Sequence, residues 1–477
     1  MFERYRIIHF VGIGGIGMSG IAEVLHNLGY DVTGSDLKDS QTTRRLRDLG
    51  IKVYIGHNAE NVDDAHVLVI SSAVSDENPE VVEAKVRSIP VIPRAEMLAE
   101  LGRLKYGILI AGAHGKTTTT SLISTVLTHG KLDPTVVIGG RLKATGSNAI
   151  LGQGDFLVAE ADESDGSFLK LTPTIAVVTN IDREHMDFFR NMDSLKGAFL
   201  SFINKVPFYG ASVVCIENEH LRDLLPSIHR RCITYGFEKN AVLRAENIRR
   251  AFMSVTFDAV YKGKHIGEFT LPLPGMHNVL NGLAAIGCSL VLKMDISVVR
   301  EALKGFSGIQ RRLEFKGEAR GIRVFDDYGH HPTEIRATLR AMKDGLSKIE
   351  SESPAFFEGV HPAGRKKGRL IVLFQPHRYS RTRDLIEEFS GSFDDADMLM
   401  LLDIYPAGEK PIEGVSSDGL YEKILQSGYK NAVRTQSKNE AAARVLSQLR
   451  ERDVVLTLGA GDVWKTGEEI LKKLKEA

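Results

Sequence analysis

The chain has 477 residues, enough for about three domains at ~150 residues each. Lys plus Arg and Asp plus Glu both number 61, so the composition gives no basic field of the kind that attracts nucleic acid or anionic membrane. Cys215, Cys232 and Cys288 are too scattered for a disulfide framework or a metal cluster, and we expect buried reduced thiols. No apolar run approaches the ~20 residues of a membrane span, and Met1–Arg6 does not lead into a signal peptide. We therefore expect a cytoplasmic protein, with no nucleic-acid partner and no membrane insertion.

A glycine-rich turn follows the first apolar segment of the chain. The predicted strand Ile7–Val11 leads into Gly12–Gly17, then into a helical pattern over Met18–Leu28, and a second strand, Asp31–Gly34, is followed by Asp36. In a βαβ unit of this kind, the helix N-terminus faces a diphosphate and the acidic residue binds ribose hydroxyls. The pattern does not distinguish a dinucleotide from a UDP-sugar, and a glycine turn without a ligand is the structural alternative.

Two further predicted strands of this first segment end in polar residues. Val67–Ile70 leads into Ser71, and Val91–Pro93 leads into Arg94. Open α/β sheets bind ligands at the carboxyl ends of their strands. Ser71 and Arg94 are therefore expected on the same edge as the glycine-rich turn.

A phosphate-loop pattern opens the middle of the chain. The apolar strand Ile108–Ala111 is followed by Gly112–Thr117, which reads GAHGKT, and by a helical pattern over Thr118–Val126. Such a loop directs backbone N–H groups and a lysine, here Lys116, at phosphates and places a Thr hydroxyl on Mg²⁺. The full pattern has glycine at position 110, where this chain has Ile110, so an ordinary strand-to-helix turn is the alternative to an ATP site.

Two later strands of this segment end in acidic clusters. Phe156–Ala159 is followed by Glu160–Asp165, and Ile175–Val178 by Thr179–Asp187. Mg²⁺ prefers hard oxygen ligands, although a solvated acidic loop gives the same pattern. Further on, a helix running to Leu292 opens near Asn278, which could serve as its N-cap.

The last segment again alternates strands and helices. Its strand-end loops contain an arginine pair, Arg378 and Arg381, that could hold a carboxylate in a bidentate fork. Ile349–Gly368 has no periodicity and is interpreted as a long surface insertion. Gly459–Asp462 is either an edge turn or a phosphate contact. The predicted elements are strands Arg323–Phe325, Leu370–Phe374, Met398–Leu402 and Val454–Leu458, and helices Pro332–Met342, Arg381–Phe389 and Val463–Leu474.

Two nucleotide-type sites on separate segments suggest a transfer or ligation that uses ATP to act on a nucleotide-linked substrate. At this point the chain resembles the Mur ligase family over nearly its whole length. The motifs that carry the resemblance are HFVGIGGIGMSGIAEVL, AGAHGKTTTTSLI, AEADESDGSFL, VTNIDREHMD, LPGMHNVLNGLAAI, DDYGHHPTEI, FQPHRYSRT, DIYPAGE and LGAGDVW, in that order. The family usually has Thr where this chain has Ala113.

The resemblance implies an α/β fold of three domains. Residues 1–105 would form a Rossmann-like domain for UDP-N-acetylmuramate, residues 106–312 a central P-loop ATPase-type domain, and residues 313–477 a Rossmann-like domain for the amino acid. The implied reaction joins L-alanine to the carboxylate of UDP-N-acetylmuramate through an acyl phosphate, with ATP as co-substrate and two Mg²⁺ ions, for which Mn²⁺ could substitute. It would serve peptidoglycan precursor synthesis, and either a monomer or a homodimer is compatible with it.

The resemblance also implies roles for individual residues. For the UDP substrate these are Gly14, Gly15, Ile16, Gly17, Asp36, Ser71 and Arg94. For ATP they are Gly112, Ala113, His114, Gly115, Lys116, Thr117, Thr118, Asn278, Asn281 and Asp327. Glu160 would bridge the two metal ions, with Thr117 on one and His185 on the other. For the amino acid and acyl phosphate they are Arg312, Tyr328, His330, His377, Arg378 and Arg381, and Lys116, His185, Arg312, His330 and Arg378 form the implied catalytic set.

Three alternatives remain open at this point. A recycling ligase would join a preformed murein tripeptide to the same nucleotide, although Tyr328-Gly329 and the Gln375–Thr382 loop look like the alanine enzyme. A nicotinamide oxidoreductase would leave Lys116 unexplained, and a non-catalytic relative would be expected to have lost Lys116, Glu160 or His185.

Related ligases carry a carbamylated lysine near the second metal. We expect no carbamate on Lys196.

Overall fold

The computed structural model describes residues 6–71, 73–103, 105–139, 149–352 and 368–476. The chain divides into two compact units. The first comprises Met1–Asn247, Phe257–Phe269 and Leu280–Ser307, and the second comprises Ile248–Thr256, Thr270–Val279 and Gly308–Ala477. Within the described residues, no helix has both the length and the apolar character that a bilayer crossing requires.

The N-terminal sheet has five strands, all parallel, in the order β3-β2-β1-β4-β5. Crossover helices connect successive strands, as a parallel sheet requires. The elements are β1 (Ile7–Val11), α1 (Ile16–Asn27), β2 (Asp31–Asp36), α2 (Gln41–Asp48), β3 (Lys52–Ile55), β4 (Val67–Ile70), α3 (Pro79–Val86), β5 (Val91–Pro93) and α4 (Arg94–Arg103).

The middle sheet has ten strands in the order β15-β14-β13-β12-β11-β10-β6-β9-β7-β8. Its strands are β6 (Tyr106–Ala111), β7 (Thr135–Val137), β8 (Ala149–Ile150), β9 (Phe156–Glu160), β10 (Ile175–Val178), β11 (Ala211–Cys215), β12 (Cys232–Gly236), β13 (Leu243–Ala251), β14 (Ser254–Tyr261) and β15 (Lys264–Leu271). Its helices are α5 (Lys116–His129), α6 (Met186–Phe189), α7 (Met192–Asn204), α8 (Glu219–Leu224), α9 (Met276–Val291) and α10 (Ile296–Lys304).

The third sheet has six strands in the order β16-β17-β21-β18-β19-β20, and β16 alone runs antiparallel to its neighbour. Its strands are β16 (Glu314–Ala319), β17 (Ile322–Asp327), β18 (Leu370–Phe374), β19 (Met398–Leu401), β20 (Ala432–Arg434) and β21 (Val454–Leu458). Its helices are α11 (Pro332–Glu352), α12 (Tyr379–Asp384), α13 (Ile386–Ser390), α14 (Ser417–Gln426), α15 (Lys438–Leu446) and α16 (Trp464–Glu476).

The central strands of the two larger sheets are buried on both faces. Every residue of β10, β18 and β21 is buried, and so are the last five residues of β6. Such continuous apolar runs are typical of parallel strands covered by helices on both sides. Because parallel strands share one carboxyl edge, the polar residues that follow them come together at that edge.

Several predicted boundaries were wrong. The predicted helix Pro332–Met342 continues as α11 to Glu352 and passes through Gly345, where a side-chain Cβ would lie 2.9 Å from Phe252. The first residues of the predicted insertion 349–368 are therefore helical, and residues 353–367 lie outside the described part of the chain. The predicted helix Arg381–Phe389 is two helices, α12 and α13, because Leu385 has non-helical dihedrals.

The structure also corrects two smaller expectations. Asn278 is not an N-cap, because α9 already begins at Met276. All three cysteines are free, but Cys232 is only half-buried, whereas Cys215 and Cys288 are buried as expected. Sequence reasoning missed the strands β13, β14 and β15 altogether.

Candidate active site

The phosphate loop joins β6 to α5 and depends on two glycines with positive φ. Gly112 has φ 134° and Gly115 has φ 80°, a region that favours glycine because it has no Cβ. At Gly112 the space is also closed, since a Cβ there would lie 2.1 Å from Thr179 Oγ1. The predicted ATP residues Ala113, His114, Thr117 and Thr118 lie on this loop or in the first turn of α5.

Residues after β10 hold the phosphate loop from the side. The Asn180 side chain forms two hydrogen bonds with the His114 backbone. Its Oδ1 accepts from the His114 N–H at 2.8 Å, and its Nδ2 donates to the His114 carbonyl at 3.0 Å. Thr179 Oγ1 donates to the same carbonyl at 2.7 Å, and His114 Nε2 lies 2.8 Å from Asp182 Oδ2. We call Thr179, Asn180 and Asp182 the loop clamp. Sequence reasoning assigned none of these three residues a role, although all lie in the quoted VTNIDREHMD motif.

Lys116 is held by an anionic partner that the sequence did not identify. Its Nζ donates to both carboxylate oxygens of Glu163, at 2.8 and 2.9 Å, and to the Gly112 carbonyl at 2.6 Å. Burial alone would lower the pKa of Lys116, but the negative charges of Glu163 and Asp162 raise it well above its ordinary value. The lysine is therefore a fixed cation at the mouth of the loop.

The predicted metal ligands Thr117, Glu160 and His185 all lie in the first unit, and His185 is grouped with two further carboxylates. Glu160 is the last residue of β9 and accepts a hydrogen bond from the Gly139 N–H at 2.8 Å. The ligand atoms of Glu163, Glu184 and His185 all lie within 4.8 Å of one another. Carboxylate oxygens with one imidazole are ligands that suit Mg²⁺ or Mn²⁺. Among the described residues, this trio is a candidate group for a metal next to Lys116, and Glu163 and Glu184 are additions to the predicted set.

The glycine-rich turn of the first unit is fixed by the end of β2. The Ser35 carbonyl accepts from the N–H groups of Gly12 and Ile13, at 2.8 and 2.9 Å. Asp36 Oδ2 accepts from the Gly14 N–H at 2.9 Å, and its Oδ1 accepts from the Lys38 N–H at 3.0 Å. Asp36, which was expected on the ribose, therefore also supports the turn.

The remaining predicted residues of the UDP site surround this turn. Gly15 precedes α1 without a side-chain cap, so the N–H groups at the start of α1 face the edge where a diphosphate would bind. Ser71 lies beside Gly12, since a Cβ placed on Gly12 would be 3.5 Å from Ser71 Oγ. Arg94 lies beside Gly17, since a Cβ placed on Gly17 would be 2.6 Å from Arg94 Nη1. Arg94 also reaches Asp162 at 3.4 Å. Ile16 begins α1, and only its backbone is described.

The two asparagines expected on adenine are buried and belong to different units. In the first unit, Asn281 Oδ1 accepts from Thr119 Oγ1 at 3.1 Å and packs against Gly115. In the second unit, Asn278 Nδ2 donates to the Pro274 carbonyl at 2.7 Å. Asn281 therefore supports α5 and the phosphate loop, whatever else it contacts.

The second unit gathers the predicted amino-acid residues at the ends of β17 and β18. The His330 and His377 rings lie 5.8 Å apart, and the Tyr328 ring packs edge-on against His330. The His377 ring stacks on Tyr405 at 5.6 Å, and Arg381 Nη1 lies 3.4 Å from His377 Nδ1. Tyr328, His330, His377 and Arg381 therefore form one cluster.

Arginines flank this cluster on strained backbone. Arg378 has φ 73° and Arg311 has φ 60°, conformations that cost non-glycine residues energy and often mark functional sites. The guanidinium groups of Arg311 and Arg312 lie over the Tyr328 ring, at 5.0 and 5.3 Å from its centroid. Arg311, which the sequence interpretation omitted, also donates to Asp326 and to the Gly459 carbonyl. The Gly459–Asp462 turn is thus a support for Arg311.

Asp327, expected on the ribose of ATP, is buried under this cluster. Its carboxylate accepts from the N–H groups of Leu313 and Gly329, both at 2.8 Å. Burial raises the pKa of Asp327 to about 6, although Arg312 and these hydrogen bonds oppose the rise.

Lys196, in the first unit, is paired with Asp223, with Nζ 2.9 Å from Oδ2.

A Gly112→Ala substitution should destabilise the first unit, because it combines a positive φ with an overlap on Thr179. We expect a loss of about 1–3 kcal/mol in the free energy of unfolding, measured by denaturant titration. Gly197→Ala is the control: Gly197 lies in α7 with nothing within 4 Å of its Cβ position, so alanine there should be neutral or stabilising. Equal effects of the two substitutions would contradict this account of the loop.

Acid should destabilise the second unit through two histidines that are held neutral. Burial and the nearby Arg312 lower the pKa of His277 to about 4, and burial with the cationic neighbours of His377 lowers its pKa to about 3. As pH falls below about 6.5, these two histidines take up protons in the unfolded chain but stay neutral in the folded chain. The free energy of unfolding therefore decreases. His277→Gln should remove part of the fall in the free energy of unfolding between pH 7.5 and pH 5.0, on the order of 1–2 kcal/mol, measured by denaturant titration at the two pH values. An unchanged fall would show that His277 is protonated in the folded protein.

Comparisons with known proteins agree with the architecture and the motifs. The chain matches the model of the Mur ligase family catalytic domain over residues 7–106, that of the Mur ligase middle domain over 110–289, and that of the Mur ligase glutamate ligase domain over 311–349 and 355–461.

Full-length relatives carry one name. The UDP-N-acetylmuramate–L-alanine ligase of Geotalea uraniireducens is 54% identical over 475 residues, covering 100% of this chain and 99% of its own. That of Geobacter sulfurreducens is 55% identical over 478 residues, with 100% and 99% coverage. The crystal structure of the UDP-N-acetylmuramate–alanine ligase from Thermotoga maritima matches with a TM-score of 0.81 and 29% identity, covering 98% of this chain and 99% of that one. The chain belongs to the Mur ligase family.

Proposed function

We propose that this chain is an ATP-dependent ligase that joins L-alanine to the carboxylate of UDP-N-acetylmuramate, giving ADP and phosphate, in the cytoplasmic synthesis of the peptidoglycan precursor. The observation that carries the proposal is the phosphate loop held by the protein's own hydrogen bonds, with Lys116 beside the group Glu163, Glu184 and His185. The full-length relatives at 54–55% identity share the proposed activity in their names. Either a monomer or a homodimer is compatible with it.

Each of three proposed domains, residues 1–105, 106–312 and 313–477, would bind a different substrate. The N-terminal domain would bind the UDP substrate, with its diphosphate at the start of α1 between the glycine-rich turn and Arg94. The middle domain would bind ATP on the phosphate loop. The C-terminal domain would bind alanine and the acyl phosphate through Arg312, His330, His377, Arg378 and Arg381.

The chemistry then proceeds in two steps. A carboxylate oxygen of the muramyl group attacks the γ-phosphorus, and the bond from that phosphorus to the β,γ-bridging oxygen breaks, releasing ADP. The alanine amine adds to the acyl carbon, the bond from that carbon to the phosphate oxygen breaks, and the nitrogen loses its extra protons. Lys116 would neutralise charge on the transferred phosphoryl group, and the arginines would orient the acyl donor.

Divalent ions fit the residues next to Lys116. Glu163, Glu184 and His185 would hold one, and Thr117 and Glu160 remain the proposed ligands of another. Bound Mg²⁺ would supply charge neutralisation at the phosphate oxygens.

A recycling ligase for a murein tripeptide is the competing function. The murein peptide ligase structure from Psychrobacter arcticus is 21% identical with a TM-score of 0.69, and this likeness is one of fold. Phosphate release from ATP in the presence of Mg²⁺ and UDP-N-acetylmuramate should therefore be much faster with L-alanine than with the tripeptide. A preference for the tripeptide would overturn the proposal.

The matched control for that assay is Lys116→Ala. Removing the ammonium should lower the rate by orders of magnitude, because it loses charge neutralisation in phosphoryl transfer, while UDP-N-acetylmuramate binding should change little. A joint loss of both in a variant that remains folded, as judged by its melting transition, would contradict the separation of the two sites.

A further inference from the structure

Two exposed aromatic side chains lie at the end of the middle sheet opposite the phosphate loop. Phe208 and Tyr209, which we call the aromatic tip, belong to the turn between α7 and β11, where the Gly210 N–H donates to the Pro207 carbonyl at 2.9 Å. Phe208 is 93% exposed and Tyr209 is 59% exposed, and their rings pack edge-on with centroids 5.2 Å apart. The turn precedes β11, whereas the phosphate loop follows β6, and both strands are parallel to β10.

The exposed aromatic surface continues across the starts of neighbouring strands. Tyr209, Tyr106 and Lys170 line the same groove. Tyr106, the first residue of β6, is 51% exposed, and its ring centroid lies 6.0 Å from that of Phe156. Single exposed apolar side chains are ordinary on a protein surface, whereas a contiguous group of them marks an interaction site.

Arginines flank the aromatic tip. Arg230 and Arg231 directly precede β12, which pairs with β11, and both side chains are exposed. Arg230 Nε donates at 3.2 Å to the carbonyl of Asn204, at the end of α7, which places this arginine beside the segment that leads to Phe208. Within the described part of the chain, neither arginine is paired with a carboxylate.

Carboxylates on this surface lie on the side of the groove. Glu96 is paired with Lys170, with Nζ 2.9 Å from Oε2, and Asp155 lines the groove together with Lys105. The charge beside the aromatic tip itself is therefore positive, although the whole chain has equal numbers of acidic and basic residues.

Aromatic rings next to basic groups are suited to the surface of an anionic bilayer. Phe and Tyr rings enter the headgroup region, and Arg side chains add attraction to anionic headgroups. A second copy of the chain fits less well, because a twofold contact over the aromatic tip would bring Arg230 and Arg231 of both copies together, and like charges repel.

We propose that the aromatic tip, Arg230 and Arg231 form a membrane-contact surface that adsorbs the protein reversibly on anionic bilayers. Phe208 and Tyr209 enter the headgroup layer, and the two arginines pair with lipid phosphates. The phosphate loop stays open to soluble substrates, because the six residues of β6 separate it from this surface by roughly 20 Å. The inference goes beyond the proposed function and does not depend on it.

The test is co-sedimentation of the full-length chain with vesicles of phosphatidylcholine alone or of phosphatidylcholine and phosphatidylglycerol in equal amounts. The chain should bind the mixed vesicles and be released from them by high salt, and it should bind the neutral vesicles far less. Phe208→Ala should weaken binding to the mixed vesicles about tenfold, because it removes an apolar ring from the headgroup layer. Arg231→Glu should weaken it at least about fivefold and reduce its salt dependence.

Val86→Ala and Lys239→Glu are the matched controls. Val86 is 75% exposed in α3, and Lys239 is exposed in the loop that follows β12, so both lie away from the proposed surface. Neither substitution should change vesicle binding. Phe208→Ala should also leave ligase turnover of soluble substrates unchanged, which would show that the variant is folded.

Equal binding of neutral and mixed vesicles, or mixed-vesicle binding that Phe208→Ala leaves unchanged, would overturn the inference. Self-association that Phe208→Ala abolishes, without vesicle binding, would show a dimer interface and would overturn it as well. The outcome is separable from that of the proposed function. Vesicle binding without ligase turnover would contradict only the function, and turnover without vesicle binding would contradict only the inference.

Discussion

The pair of hydrogen bonds between the Asn180 side chain and the His114 backbone is the interaction on which the conformation of the phosphate loop depends. A loop that carries two glycines with positive φ has many accessible conformations, and hydrogen bonds to both the N–H and the carbonyl of one central residue select a single one. These hydrogen bonds are possible because β6 and β10 are adjacent and parallel, with Ala111 paired with Val178, so the residues after each strand meet. The protein's own hydrogen bonds therefore fix the shape of the phosphate loop, which lowers the cost of ordering it during reaction.

The same edge concentrates opposite charges. Lys116 is in contact with Glu163, which in turn lies near Glu184 and His185. Removing one partner from a buried ion pair costs about 3–5 kcal/mol, because the other charge is left uncompensated. A nucleotide that takes the ammonium from Glu163 leaves that carboxylate uncompensated, and a nucleotide bound with a divalent metal would bring a cation to it. Under the proposed function, this requirement accounts for a lysine, two carboxylates and a histidine in one small region.

Much of the architecture could be predicted, because strands such as β18 and β21 are short apolar runs and the polar clusters lie directly after them. The glycine-rich turn and the phosphate loop were predicted from the sequence for the same reason. The loop clamp could not be, since Thr179 and Asn180 act through backbone groups of a residue more than sixty positions earlier. The partnership of Lys116 with Glu163 and the support of Arg311 by Gly459 likewise depend on pairing between distant strands. Sequence identifies chemically capable residues, whereas the fold determines which of them work together.

The central claim is that the muramyl carboxylate itself receives the γ-phosphoryl group. It is tested most directly by turnover of UDP-N-acetylmuramate labelled with ¹⁸O in that carboxylate, followed by mass analysis of the released phosphate. The account predicts that each phosphate carries one oxygen from the carboxylate, because the bond from the acyl carbon to that oxygen breaks when the amine adds. Unlabelled phosphate formed alongside product would contradict an acyl phosphate, and with it the proposed role of the phosphate loop.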